Sequence, residues 1–429
     1  MSKRYCRSED LLKKALKVIP LGTQTFSKSK TQYPYGISPY FIKKGKGSHV
    51  WDVDDNEYVD FVNALASITL GHNDPDVSKA VKKYIEIGTI HSLPHEIEIE
   101  VAEKIVEMVP CAEMVRFGKN ASDATAGAIR LARAYTKRDH VAVCGYHGWQ
   151  DWYIGTTPRN MGVPKAVQDL THTFSYNELD SLRKIFSDNP DQIAAVIMEP
   201  MNVTEPENGF LENVKDMANN MGALFILDET VTGFRYSKGG AQEYFGITPD
   251  LATFGKGMAN GYPISAIVGP EKIMQLMEEI FFSFTYGGEI LSLGASLTAL
   301  TKIQNEPVIE TLWSQGKKVV EGTKEIIINN NLTDVVSVKG KDCWSFLIFN
   351  GRGKYTEWDI KTLFLQEVFA RGVLAIGSHN MSYAHSDNDV SLLIKVYGEV
   401  FSVLAESLKN EDVHKRLNTV PLKPLFKIR

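Results

Sequence analysis

The pattern of apolar and polar positions changes twice along the chain and predicts three regions. From about Tyr40 to Val62, short alternating strands are separated by turn residues, which is typical of an antiparallel meander. In the middle of the chain, apolar β-rich runs without polar alternation are separated by helical patterns. Such runs favour strands buried on both faces, as in a mostly parallel sheet covered by helices. The runs are Met114 to Phe117, His140 to Cys144, Ile193 to Met198, Ala223 to Leu227 and Ile264 to Val268.

The third region begins after about Leu300 and has a long helical stretch, short strands and a final helix near Asp387 to Leu408. This order indicates a smaller α+β unit, which we expect to pack with the N-terminal meander. The chain is therefore predicted to be an α/β protein with a large domain, residues 68–305. Residues 1–67 and 306–429 are predicted to be the N-terminal and C-terminal segments of a small domain. At the start of the chain, Ser8 predicts the N-cap of a first helix.

Composition excludes several classes of protein. Of the 429 residues 43% are hydrophobic, which excludes disordered and fibrous architectures. The 47 basic and 52 acidic residues nearly balance, which argues against a nucleic-acid partner. The four cysteines are far apart, and His91 and His95 are interrupted by Pro94, so we expect neither disulfides nor a metal site. The N-terminus carries no secretory signal and no stretch suits a bilayer, so we expect a cytoplasmic protein without a membrane partner.

Ligands of parallel sheets bind beyond the carboxyl ends of the strands, so the residues after each apolar run are the candidates for chemistry. After the first run, Ala121 and Ser122 stand at a strand-to-helix turn, where free backbone N–H groups favour a phosphate. A plain loop with a helix cap explains the same residues. After the second run, Tyr146 stands between glycines and could stack on a planar ligand, although such aromatics are also common in cores. Glu199 adds a carboxylate after the third run.

Two further residues predict a specific chemistry. Asp228 directly ends an apolar run and is expected to be buried, so it needs a cationic or donor partner; an internal salt bridge would also satisfy it. Lys256 lies between two glycines, where desolvation would disfavour its ammonium form and activate the amine, whereas the alternative is an exposed loop lysine. A phosphate-binding turn, a stacking aromatic, a buried aspartate and such a lysine together describe a pyridoxal 5′-phosphate (PLP) site.

With these residues in place, the sequence resembles the class III, fold-type I PLP-dependent aminotransferases, and especially their glutamate-1-semialdehyde 2,1-aminomutase branch. The resemblance covers nearly the whole chain and implies the fold of that family, with residues 68–305 as the PLP-binding domain. It is carried by Val18-Ile19-Pro20, Trp51-Asp52-Val53-Asp54, Leu70-Gly71-His72-Asn73, Tyr146-His147-Gly148, and above all Leu227-Asp228-Glu229-Thr230-Val231-Thr232-Gly233-Phe234-Arg235 followed by Gly255-Lys256.

The resemblance implies the catalytic roles. Lys256 would form the Schiff base with the cofactor and move the proton between the substrate α-carbon and the cofactor. Asp228 would pair with the pyridine nitrogen. Tyr146 matches the aromatic that stacks on the ring, with His147 close behind it, and Glu199 supports the site without acting on the substrate.

The resemblance also implies how the phosphate is bound. Ala121 and Ser122 match the phosphate-binding positions, although the family usually has Gly and Thr there. Thr285 resembles the threonine that reaches the phosphate of the neighbouring subunit. The expected assembly is therefore a homodimer with shared active sites.

The substrate region departs from the aminomutase pattern. Where that branch has an arginine for the substrate carboxylate, the chain has Lys28, which lacks the bidentate fork. The polar and aromatic segment from Gln24 to Tyr35 would suit a hydroxyl-rich acceptor. We therefore predict an aminotransferase that moves an amino group from an amino-acid donor to a carbonyl acceptor, such as a sugar intermediate of surface polysaccharide synthesis. The alternatives are an aminomutase and a non-catalytic regulatory or scaffold protein with this fold.

Overall fold

The computed structural model describes residues 3–423, and these divide into two compact units. Residues 75–309 form one of them, which we call the continuous unit. Residues 3–74 and 310–423 form the other, which we call the split unit because it is made from both ends of the chain. Residues 1–2 and 424–429 lie outside the described residues.

The strands are numbered in chain order. They are β1 (Ile42–Lys46), β2 (His49–Asp52), β3 (Glu57–Asp60), β4 (Met114–Gly118), β5 (His140–Cys144), β6 (Thr171–Thr173), β7 (Ile193–Met198), β8 (Leu224–Asp228), β9 (Leu251–Phe254), β10 (Ser265–Gly269), β11 (Val336–Lys341), β12 (Trp344–Phe349), β13 (Val373–Leu374) and β14 (Ser378–Asn380).

The helices are numbered in the same way, and short 3₁₀ turns are left unnumbered. The helices are α1 (Cys6–Val18), α2 (Asn63–Ala66), α3 (Pro75–Ile85), α4 (Ile97–Met108), α5 (Ala121–Thr136), α6 (Asp151–Ile154), α7 (Lys165–Gln168), α8 (Leu179–Asp188), α9 (Phe210–Asn220), α10 (Ala241–Phe245), α11 (Glu271–Met274), α12 (Ile290–Asn305), α13 (Val308–Asn329), α14 (Glu357–Ala370), α15 (Asp387–Lys409) and α16 (Val413–Arg416).

The continuous unit is built on a seven-stranded sheet in the order β4-β10-β9-β8-β7-β5-β6. Neighbouring strands from β9 to β6 are parallel, whereas β10 runs antiparallel to β9 and β4. Every residue of β7, β8, β9 and β10 is buried, which is the physical reason for their uninterrupted apolar sequence. The predicted α/β fold with a mostly parallel sheet is thereby confirmed.

The register of this sheet aligns the strand ends. Cys144 pairs with Met198 in β7, which in turn pairs with Leu227 in β8, and Asp228 pairs with Thr253 in β9. The residues that follow β5, β7 and β8 therefore leave the sheet at one edge. Thr253 belongs to the buried strand β9 and lies next to Asp228.

The split unit contains two smaller sheets, ordered β1-β2-β3-β13 and β11-β12-β14. The strands β1, β2 and β3 pair antiparallel, as the alternating sequence predicted. His49 in β2 bonds through Nε2 to Asp389 Oδ1 in α15 at 2.9 Å. The hydrogen bond that His49 donates to the Asp389 carboxylate raises the pKa of His49. Although burial raises the pKa of Asp389, its hydrogen bonds to His49 and Ser386 hold it far below the usual value.

The start of α1 differs from the prediction. Tyr5 is the N-cap, and Ser8 lies inside the helix and is buried. The first N–H groups are satisfied from elsewhere in the chain, because the carboxylate of Asp54 accepts Arg7 N at 2.7 Å and Ser8 N at 2.8 Å. The predicted N-cap at Ser8 is therefore wrong, because the N–H groups that a local cap would bind donate instead to a carboxylate 46 residues away.

The segment labelled α2 is a left-handed turn made without glycine. Asn63, Ala64, Leu65 and Ala66 all have positive φ, between 44° and 67°, where each non-glycine residue costs about 1–2 kcal/mol. The turn is held by reciprocal amide contacts, in which Asn63 Nδ2 donates to Asn380 O at 2.6 Å and Asn380 Nδ2 donates to Val62 O at 2.7 Å.

Candidate active site

Asp228 is a buried side chain with several hydrogen-bond partners at the edge of the large sheet. Its Oδ1 atom accepts hydrogen bonds from Thr230 N at 3.1 Å and Thr253 Oγ1 at 3.2 Å, and its Oδ2 atom lies 2.8 Å from His147 Nδ1. The residue is 5% exposed. Although burial raises the pKa of Asp228, the hydrogen bonds from His147 and Thr230 outweigh it and lower the pKa. Asp228 is thus a buried carboxylate that stays ionised.

The proton on His147 can be placed from its two partners. Its Nε2 atom lies 3.1 Å from Cys144 O, and because a carbonyl oxygen only accepts, Nε2 carries a hydrogen. The Nδ1 atom therefore either donates to the ionised Asp228 or accepts from the protonated acid. The lowered pKa of Asp228 favours the first arrangement, in which the ionised carboxylate accepts the hydrogen bond.

Lys256 begins a short 3₁₀ turn directly after β9 and has a left-handed φ of 44°. Its Nζ atom makes no hydrogen bond or ion pair with another of the residues 3–423. Burial lowers the pKa of Lys256, while the charges of Glu199 and Asp228 act in the opposite direction. The amine is therefore easier to deprotonate than an ordinary lysine, which is the state that attacks a carbonyl.

The N-terminus of α5 provides backbone donors. Asn120 is the N-cap and shares a capping box with Asp123, whereas Ala121 N and Ser122 N have no hydrogen-bond acceptor among the described residues. Two free N–H groups at the start of a 16-residue helix form a suitable anion site. Close packing fixes this site, because a Cβ atom on Gly255 would lie 3.3 Å from the Cβ atom of Ala121.

Tyr146 and Glu199 form a second contact at this edge. Glu199 Oε2 accepts a hydrogen bond from Tyr146 N at 3.1 Å, and the Tyr146 side chain is 43% exposed. Burial and the charge of Asp228 raise the pKa of Glu199. The left-handed φ of Gly145, 103°, and the 2.6 Å separation of its ideal Cβ position from Glu199 Oε2 show why this turn requires glycine.

The structure brings most of the candidate residues together. Hydrogen bonds join Asp228 to His147 and Tyr146 to Glu199. Another joins the backbone N–H of Trp149 to Ser122 Oγ. The negative charge of Asp228 also acts on the pKa of Lys256. Thr285 differs, because it is exposed on the segment before α12 and makes no hydrogen bond with these residues in the described part of the chain. His147 lies against Asp228 rather than beside the ring of Tyr146.

Two partners of Asp228 escaped the sequence analysis. Thr230 and Thr253 both donate a hydrogen bond to Asp228 Oδ1. Thr230 follows Asp228 by two positions, and this spacing is typical of an Asx turn, so the sequence could have predicted the contact with Thr230. Nothing in the sequence near Asp228 points to Thr253, which comes from the neighbouring strand.

Within residues 3–423, no group of three or more His, Cys, Asp or Glu side chains is arranged to hold a metal ion. Among the same residues, no helix is both long and apolar enough to cross a membrane.

Comparison with known proteins decides the family. The family described as Aminotransferase class-III matches residues 32–382. The chain belongs to the class-III aminotransferases. The enzymes of this family use pyridoxal 5′-phosphate. This chain fits that cofactor through an ionised buried carboxylate, Asp228, and through an amine and two N–H donors that have no partner among residues 3–423.

Individual relatives agree with this assignment. The 3-aminobutyryl-CoA aminotransferase of Cloacimonas acidaminovorans is 32% identical over 417 residues, which cover 94% of this chain and 99% of that protein. The glutamate-1-semialdehyde 2,1-aminomutase of Natranaerobius thermophilus is 33% identical over 433 residues, 94% of this chain and 100% of that protein. The solved FumI protein of Sphingopyxis sp. MTA144, in its PLP internal aldimine form, has a TM-score of 0.88 and 28% identity, and the match covers 94% of this chain and 97% of that one.

Proposed function

We propose that this class-III enzyme moves an amino group from an amino-acid donor to a carbonyl acceptor, with Lys256 and Asp228 as its catalytic residues. The observation that carries the proposal is the pair itself: an amine with a lowered pKa and an ionised carboxylate stand at or just beyond the ends of neighbouring strands, at the same edge of one sheet. These are the two groups that PLP chemistry requires of a protein.

The chain's own groups divide the work. PLP supplies an aldehyde that takes up the amino group and a ring that withdraws electrons from the substrate α-carbon. Lys256 would bond to that aldehyde and later move a proton at the α-carbon. Asp228, kept ionised by His147 and the two threonines, would hold the ring nitrogen protonated. Tyr146 would cover the face of the ring, and Glu199 would fix the backbone of Tyr146.

The phosphate and the assembly are linked in this proposal. Ala121 N and Ser122 N would donate to the phosphate, and Thr285 would reach the phosphate of a second subunit. Large apolar side chains of the continuous unit are exposed, which supports a homodimer because interfaces are rich in such side chains. They include Leu93, Ile99, Phe281, Phe284 and Tyr286, which are between 36% and 82% exposed. Sedimentation equilibrium would test the dimer, and a monomer at micromolar concentration would contradict it.

The nature of the acceptor is the finer part of the proposal. A cavity of about 500 Å³ in the split unit is lined by residues of the segment from Gln24 to Tyr35, among them Lys28 and Tyr33. The Tyr33 residue is 9% exposed, and its hydroxyl has no hydrogen-bond partner among the described residues. Aromatic faces with unpaired polar groups suit a hydroxyl-rich molecule, which supports a sugar-like acceptor.

A glutamate-1-semialdehyde-type aminomutase is the second candidate, and the 33% identity to such an enzyme over the full length favours it. The two activities differ in what they consume. An aminotransferase needs a separate amino donor, which converts the bound cofactor to its amine form. An aminomutase turns over from one substrate alone. Rapid isomerisation of glutamate-1-semialdehyde, with no response to any amino donor, would contradict the proposal.

The test of the catalytic lysine is Lys256→Ala, with Lys361→Ala as its matched control. Lys361 is also a lysine whose pKa burial lowers, to about 8, but it belongs to the split unit. We expect Lys256→Ala to lose activity and the visible absorbance of the bound cofactor, whereas Lys361→Ala keeps both. Equal loss in both variants, or none in Lys256→Ala, would contradict the role of Lys256.

A further inference from the structure

The loop that presents the proposed phosphate donors also carries a cation, which forms an ion pair with the N-cap residue of α12. Lys119 follows β4 by one residue and precedes the N-cap of α5, and its backbone N–H is held by Asp123 Oδ2 at 3.1 Å. Its side chain is 18% exposed, and Nζ lies 2.9 Å from Glu289 Oε2, whose side chain is 12% exposed. A pair this far removed from water has a fixed geometry.

Glu289 is itself locked in place. It is the N-cap of α12 and accepts hydrogen bonds from Leu291 N at 2.8 Å and from Ser292 N at 3.2 Å and Ser292 Oγ at 2.6 Å. Burial raises its pKa, but the hydrogen bonds from Ser292 and Lys119 outweigh this and lower it, so Glu289 remains charged. The ion pair therefore joins two helix N-termini, those of α5 and α12.

Between these anchors runs the segment that bears Thr285, residues 281–289. Its start is fixed by two more cations from the same β4–α5 element: Arg130 Nη1 donates to Phe281 O at 2.9 Å, and Arg116 Nη2 donates to Phe282 O at 3.2 Å. The ring of Phe282 packs against α5 so closely that a Cβ atom on Gly127 would lie 2.7 Å from it. The 281–289 segment is thus held at its start by two arginines and at its end by Lys119.

We propose that Lys119 and Glu289 are positioning residues for the cofactor phosphate, because their ion pair fixes the phosphate-binding loop and the Thr285 segment to each other. The inference rests on the proposed function, in which Ala121, Ser122 and Thr285 bind phosphate. In this proposal the ion pair acts through the two segments that it joins and not by binding the phosphate itself. It holds the backbone donors of one subunit, and the threonine offered to the other, in a single arrangement, so loss of either charge loosens both.

The test measures the dissociation constant of PLP from the purified holoenzyme. Lys119→Met and Glu289→Gln each remove one charge and keep the length of the side chain. We expect each to raise the dissociation constant roughly tenfold, which corresponds to about 1.4 kcal/mol. The dissociation constant of the double variant should be no higher than that of the single variant that binds PLP more weakly, because the two residues act through one contact. Lys119→Arg keeps the charge and should restore binding to within about threefold of the wild type.

Two further variants separate positioning from other roles. Glu289→Asp keeps the cap of α12, since aspartate is among the best N-caps, but its shorter side chain cannot reach Lys119. If the ion pair positions the loop, Glu289→Asp weakens PLP binding. If Lys119 instead binds the phosphate directly, Glu289→Asp frees it and PLP binding becomes tighter, which would overturn the proposal. Lys302→Met breaks the comparable ion pair of Lys302 with Asp76, at the other end of α12, and should leave PLP binding unchanged.

The outcomes also distinguish this inference from the proposed function. If Lys256→Ala abolishes the cofactor absorbance but the Lys119 and Glu289 variants bind PLP as the wild type does, only the positioning role is wrong. If Lys256→Ala leaves the cofactor absorbance unchanged, the result contradicts the proposed function itself, on which the positioning role depends. A fall in thermal stability in the Lys119 and Glu289 variants, with PLP binding unchanged at 25 °C, would show a merely structural ion pair and would overturn the proposal.

Discussion

Replacement of Asp228 by asparagine tests whether its charge, rather than its shape, serves the reaction. The Oδ1 atom accepts from Thr230 N, Thr230 Oγ1 and Thr253 Oγ1, and an amide oxygen can keep all of these hydrogen bonds. The amide nitrogen would then face His147 Nδ1, which can accept because Nε2 already donates to Cys144 O. The substitution thus removes the charge, keeps the hydrogen bonds to the Oδ1 atom and reverses the direction of the one to His147.

The size of the effect follows from these contacts. A hydrogen bond to a charged group contributes about 1.5–3 kcal/mol and an ordinary one about 0.5–1.5 kcal/mol. Because asparagine also avoids the desolvation of a buried carboxylate, we expect the free energy of unfolding to fall by only about 1–3 kcal/mol. The reaction should suffer more, since loss of one preorganised electrostatic partner typically lowers kcat about 10²–10³-fold.

The assay combines urea unfolding with single-turnover measurement of amino transfer at saturating PLP. Thr253→Val is the matched control, because it removes one hydrogen bond to Oδ1 and leaves the charge. It should lose about 1 kcal/mol of stability and keep kcat within roughly fivefold of the wild type. If Asp228→Asn bound PLP and kept kcat within that same range, the carboxylate would not be the group that acts on the ring nitrogen.

Other predictions concern the rest of the chain. The pKa of His49 is raised in the folded protein, so its charged form stabilises the fold fully at pH values below about 6.5, the ordinary pKa of histidine. The pKa of Asp389 is lowered, so its charged form stabilises the fold fully at pH values above about 3.9, the ordinary pKa of aspartate. His49→Gln should therefore lower the urea midpoint more at about pH 5.5 than at about pH 9, and an equal loss at both would exclude a charged pair. Gly148→Ala would place a Cβ atom too close to Ser122 Oγ at a residue whose φ is 105°, so it should weaken PLP binding. Gly162 has a φ of 88° but open space around it, so Gly162→Ala should lower the free energy of unfolding by only about 1–2 kcal/mol. Asp54→Ala should lower the free energy of unfolding by about 1–2 kcal/mol through the loss of the cap on α1, and a change below about 0.3 kcal/mol would show that water replaces it.

The large sheet could be predicted from the sequence because burial on both faces leaves a direct trace. An apolar run such as Ile193 to Met198 coincides with β7, and the turn residues after each run placed the candidate residues at one edge. Asp228 stood out because a carboxylate directly ends an apolar run, and Lys256 stood out because it lies between two glycines. Their chemical roles remain predictions.

The contacts that adjust the site could not be predicted, because they join residues distant in the chain. His147 meets Asp228 across 81 positions, and Lys119 meets Glu289 across 170. No local pattern encodes such distances. The false N-cap at Ser8 has the same cause: the sequence offers a local cap, but a distant carboxylate supplies the hydrogen bonds and shifts the start of the helix.

The left-handed turn at residues 63–66 constrains the order in which the chain can be completed. Its reciprocal amide contacts require Asn380, so these two contacts cannot form while the first 74 residues stand alone. About 235 residues of the continuous unit separate the two parts of the split unit, and at about 5–20 residues per second their synthesis takes on the order of 10–50 s. During that interval the continuous unit can already fold on the ribosome. We therefore expect the nascent N-terminal segment to be the part of the chain most dependent on chaperones.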